Sequence, residues 1–195
     1  MNVNEAKLDL MTRTKKGIAM FYVGTIFWLL MGILNFMDID VKLLGVIYLV
    51  GIGILFPLGI LVSKLLKIDF IAAGNPLSNL GGVLGGMQML FAPILILVFI
   101  EKIEWLPFFI AILTGAHFLP YAILYKSKAY FFQSFGVVGF TSIIALISMN
   151  HLYSVLPFVL SAVYLITILL LSIENKKLMA MEKRTDVKKA SIKLI

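Results

Sequence analysis

Long uncharged runs alternate along this chain with short polar breaks. A helix rises about 1.5 Å per residue, so crossing about 30 Å of hydrocarbon takes roughly 20 mainly apolar residues. Gly17 to Met37, Leu43 to Ser63, Pro76 to Ile100, Trp105 to Tyr125, Ala129 to Met149 and Leu152 to Ile173 each meet that length without a single Asp, Glu, Lys or Arg. The pattern predicts an all-α fold: a polytopic transmembrane bundle of six helices occupying residues 17–173.

The breaks are short, which makes successive spans antiparallel neighbours in one bundle. Only Lys64 to Gly74 has room for an interfacial segment, and Asn75 followed by Pro76 reads as an N-cap and first helical position for the third span. In the N-terminal segment, residues 1–16, Val3, Ala6 and Leu10 recur at helical spacing and predict a helix lying along the headgroups. Residues 174–195 form a basic cytoplasmic tail whose mixed charges cannot build a core, and its end is expected to be frayed. In the third span, Gly81 with Gly85 and Gly82 with Gly86 form two staggered small-xxx-small patterns, which predict close approach of another helix.

Composition agrees with this reading. The chain is 61% hydrophobic and 14% charged, with mean hydropathy +1.03, against roughly 45–50% and about 25% in soluble domains. Cysteine is absent, which excludes disulfides, thiolate nucleophiles and cysteine-ligated metals. The charge of +7 is unevenly placed. Of the 17 Lys and Arg, all but Lys42 and Lys102 fall on one side of a six-span arrangement, while the other side carries Asp38, Asp40, Glu101 and Glu104. Basic residues in short loops stay on the cytoplasmic side, so both termini are expected there, in a multi-pass protein of the cell membrane. The first span is too long for a signal-peptide core and lacks a small-x-small cleavage site, so it reads as a retained anchor. Anionic headgroups are the expected partners of the basic tail; its lysines lack the interleaved aromatics that nucleic-acid binding would use.

Candidate chemistry centres on the fourth span. Thr114, His117, Tyr121 and Tyr125 are spaced by three, four and four residues and share an arc of about 80°. An ionisable group near the bilayer midplane is costly and commonly faces an interior or a cavity, so His117 is the leading functional candidate. Gln88 and Asn79 of the third span and Gln133 of the fifth lie at matching depths. Together His117, Tyr121, Thr114, Gln88, Asn79 and Gln133 predict a cytoplasm-facing polar ligand pocket among the third, fourth and fifth spans. The competing explanation is that these groups only join helices, at about 0.6–2 kcal/mol for each hydrogen bond. No intramembrane carboxylate, HExxH, Walker or GxSxG pattern is present, so neither a catalytic residue nor a metal or cofactor is predicted. His151 lies at the outer boundary, about half a membrane thickness from His117.

The stretch GAHFLPYAILY, with Gly115, His117, Pro120 and Tyr121, set in a six-span chain with a basic tail, resembles an uncharacterised family of bacterial multi-spanning integral membrane proteins classed as a domain of unknown function. The resemblance extends over most of the chain. It implies the class and a bacterial inner membrane, and no activity. Three functions fit: binding or transport of a small solute or lipid through the pocket, a structural or regulatory membrane subunit without a ligand, or a lipid-modifying enzyme using His117 as acid and base.

Overall fold

The computed structural model describes residues 2–192, and every regular element among them is helical. They are α1 (Val3–Thr14), α2 (Ile18–Leu34), α3 (Val41–Leu65), α4 (Ser78–Gly86), α5 (Ala92–Glu101), α6 (Leu106–Leu124), α7 (Lys128–Ile147), the single turn α8 (His151–Ser154) and α9 (Leu156–Ile192). Six segments are long and apolar enough to cross a membrane: Val3–Leu34, Val41–Leu65, Ser78–Glu101, Ile103–Leu124, Lys128–Ile147 and His151–Glu182. The chain is a multi-pass membrane protein.

Within the first segment, α1 and α2 are separated by an elbow. Lys15, Lys16 and Gly17 all adopt left-handed backbone angles, with φ of 46°, 52° and 66°. Two lysines there cost roughly 1–3 kcal/mol each, and packed partners hold the turn. The Tyr130 hydroxyl donates to the Lys16 carbonyl at 2.9 Å, Asn175 Nδ2 donates to the Lys15 carbonyl at 3.0 Å, and the buried Lys16 ammonium meets Glu174. The elbow lays α1 back against the bundle. Asn2 and Glu5 form a capping box at its start, and Ala6, Leu10, Met11 and Thr14 are buried along it. The face expected to lie on headgroups therefore packs on protein, while Val3 is exposed.

The core is built by α2, α6, α7 and α9, with α3 packed on α2. Small residues admit large ones at these contacts. Gly24 of α2 accepts the Tyr164 ring of α9, and a Cβ on Gly115 of α6 would sit 2.9 Å from Val137 Cγ1 and 3.0 Å from Val138 Cγ2 of α7. Such close approach is the dominant cohesive device where lipid is as apolar as the side chains. The last helix runs through Ile192 instead of ending near Ile173, because nothing after Pro157 breaks it: no Gly or Pro follows. The end of the tail, residues 193–195, on which the expectation of fraying falls, lies outside the described residues.

The third span is interrupted. Between α4 and α5 lies a 3₁₀ segment, Met87–Phe91. Pro93 lacks an N–H and its ring would clash with the carbonyl four residues earlier, at Met89, so the α-helix cannot run through and restarts at Ala92. Asn75 does precede this span, with its Oδ1 accepting from Leu77 N–H at 2.8 Å, and regular helix begins at Ser78. The α4 glycines, expected to pack closely on another helix, divide: Gly81 and Gly85 face Leu124 and Tyr121 of α6, and Gly82 and Gly86 face open space. A Cβ on Gly82 or Gly86 would meet nothing within 4 Å, and one on Gly85 would meet the Tyr121 hydroxyl at 3.3 Å.

Candidate functional site

Glycines on α4 leave a wall without side chains, and the space opposite α6 stays unfilled. The result is a cavity of about 330 Å³ bounded by α2, α3, α4 and α6, within the roughly 300–1,000 Å³ of small-molecule sites. Met20, Ile52, Leu55, Phe56 and Ile60 supply an aliphatic and aromatic side; Thr114, His117, Tyr121 and Gln88 supply a polar one. No Asp, Glu, Lys or Arg lines it.

Of the predicted stripe on α6, all four members line this cavity, Thr114, His117, Tyr121 and Tyr125. The His117 ring packs against Tyr121 and Phe118, with centroids 5.4 and 5.7 Å apart, and is 6% exposed. Its Nδ1 is buried without a hydrogen-bond partner. Tyr121 is committed: its hydroxyl donates to the Gly81 carbonyl at 2.7 Å and its ring stacks on Tyr125 and Tyr130. This bond ties α4 to α6 across the cavity. Gln88, on the 3₁₀ segment, and Thr114 face the cavity as well.

The other two predicted residues lie elsewhere. Asn79 is exposed on α4 and does not line the cavity. Gln133 is fully buried on α7, where its Oε1 accepts from the Thr167 hydroxyl of α9 at 2.6 Å. The first and second spans thus join the third and fourth in walling the pocket, and Tyr164 of the last span lines it as well. The contact of Gly115 with Val137 and Val138 closes α6 on α7 and turns Gln133 toward α9. Tyr130 is the fifth span's contribution.

The end of the cavity nearest the basic connections is lined by α1 and by the connection between α3 and α4. Leu10 and Thr14 of α1 line it there, with Phe70 and Ile71 from the connection between α3 and α4. That connection is pinned to α1: Asn75 Nδ2 donates to the Ala6 carbonyl and to Asp9 Oδ2, both at 2.8 Å, and Arg13 reaches Asp69 at 2.6 Å. The Arg13 guanidinium, bonded to Asp69, holds that carboxyl below its ordinary range; partial burial opposes this and the Ala72 N–H assists. The helical periodicity around Ala6 and Leu10 was the one signal in the sequence for this cover; nothing marked Phe56 or Phe70. Among the described residues, no group of three His, Asp or Glu could hold a metal ion.

A family model described as "Family of unknown function (DUF7010)" matches residues 3–174, which takes in α1, the first five spans and the sixth as far as Glu174. No curated protein and no solved structure matches the chain.

Proposed function

We propose that this chain, which belongs to the DUF7010 family of unknown function, binds a small solute or lipid in the cavity between its first four spans and holds it there or passes it across the membrane. The observation that carries this reading is His117. It is buried, faces a cavity, and has a ring nitrogen with no partner, where a helix-joining imidazole would have one. Gln88 and Thr114 support it from the same cavity. The basic end of the bundle is read as cytoplasmic from the placement of Lys and Arg, which makes the protein one of the cell membrane of a bacterium. Exposed Lys176 and Lys177 then attract anionic headgroups.

A structural subunit without a ligand accounts for Gln133, whose carbonyl is paired to Thr167, but leaves His117 unexplained. An enzymatic role draws no support from the cavity lining, which offers His117 neither a carboxylate to orient it nor a lysine.

The test is native mass spectrometry of the purified protein with His117→Ala beside it. A co-purified adduct that disappears in the variant, while the melting temperature shifts by only a few degrees, is the expected result. A variant whose whole effect is lost thermal stability, with no adduct in either protein, would refute ligand binding.

A further inference from the structure

Phe56 stands at the cavity wall between α3 and α4. At one end α3 meets the third span, where Phe99 would come 2.9 Å from a Cβ on Gly45. At the other end the connection carrying Phe70 and Ile71 joins them. Between these closures Phe56 reaches across from α3: its ring lies 3.7 Å from where a Cβ on Gly85 would sit and makes edge contact with Phe70, centroids 5.8 Å apart. Phe56 lines the cavity and is 40% exposed; Ile71, in the connection, lines it and is 68% exposed. Gly82 on the opposite edge is exposed, with open space where a side chain would be. The rim of the cavity on this side therefore carries exposed apolar side chains, while Leu10 and Thr14 of α1 line the basic end.

We propose that the cavity is loaded sideways from the bilayer, between α3 and α4 past Phe56, by a neutral single-chain lipid whose hydroxyl or carbonyl head reaches His117. This rests on the ligand-binding reading and names its ligand class. An ionised head would be left uncompensated, because no charged side chain lines the cavity. Met20, Ile52, Leu55 and Ile60 suit a hydrocarbon chain. A hydroxyl both donates and accepts, so it satisfies His117 in either tautomer, and a carbonyl satisfies its N–H and the Gln88 amide.

The experiment uses the full chain in phosphatidylcholine nanodiscs and two photoreactive probes, a diazirine-bearing monoacylglycerol and an alkyl phosphate with the same chain. Gly82→Trp fills the aperture where no neighbour obstructs it, and Arg13→Ala loosens the α1 cover. The monoacylglycerol is expected to label α3, α4 and α6 at the cavity wall, with labelling reduced about tenfold, a 1.4 kcal/mol effect, in Gly82→Trp. Labelling unchanged in Gly82→Trp but raised in Arg13→Ala would overturn sideways entry and leave the pocket standing. Preferential wall labelling by the alkyl phosphate would overturn the neutral head. No wall labelling by either probe, in native protein or in Arg13→Ala, would remove the ligand-binding reading with it.

Discussion

The ammonium of Lys16 meets the carboxylate of Glu174 at 2.7 Å across 158 residues of chain, and the second oxygen of Glu174 accepts from the Ala129 N–H at 3.1 Å. One acid therefore joins the elbow before α2, the first turn of α7 and the middle of α9. A carboxylate at a helix N-terminus also complements the helix dipole.

Lys16 is 5% exposed, and removing its partner strands a charge. Glu174→Gln is expected to lower stability by about 3 kcal/mol, and the double variant Lys16→Met, Glu174→Gln to recover part of that loss. Thermal unfolding in detergent measures both.

The bond from Asp69 to Arg13 makes the α1 cover sensitive to acid. The folded pKa of Asp69 lies below its unfolded value of about 3.9, so its contribution is complete above that value and is lost as pH falls through the folded pKa. Hydrogen exchange of α1 amides, corrected for intrinsic rates, should rise as the pH falls below about 4 in the native protein and show no such step in Asp69→Asn.

Tyr121→Phe removes the bond to the Gly81 carbonyl, which is one of the few ties holding the glycine-rich half of the third span. A loss of about 1 kcal/mol is expected, with faster hydrogen exchange confined to residues 78–91. Exchange that rises equally in α7 would count against this local role.

Two glycines that look alike in sequence should respond oppositely. Gly115→Ala forces a methyl against Val137 and should cost about 1–3 kcal/mol. Gly82→Ala meets open space and should gain about 0.5–1 kcal/mol from reduced backbone entropy. Chemical denaturation of the two variants settles the order.

Lys67 holds a left-handed conformation, φ 54°, just past α3, where Ile68 N–H donates to the Ser63 carbonyl at 2.8 Å. This is a helix-ending position that favours glycine. Lys67→Gly should raise stability by about 1 kcal/mol, read as a higher melting temperature.

The spans were legible in the sequence because the cost of burying charge in hydrocarbon is a local property of each run. The stripe Thr114, His117, Tyr121 and Tyr125 was legible for a similar reason: helical spacing alone places these residues together. Which helices neighbour that stripe was not, because apolar faces do not distinguish one partner from another. Gly115 and Gly82 show the difficulty. One marks a tight contact and the other a void, and the deciding information lies in Val137 and Val138, more than 20 positions away from Gly115 in the chain. The break in the third span had its cue in Pro93, whose steric conflict with Met89 outweighs the run's hydropathy.

That break has a mechanical consequence. At 9 residues, α4 is about 14 Å long, close to half the hydrocarbon thickness. Because α5 is moored separately, through Phe99 on Gly45, α4 can tilt without dragging the far half of its span. A displacement of α4 would therefore be absorbed at the 3₁₀ segment and leave the Phe99 anchorage undisturbed.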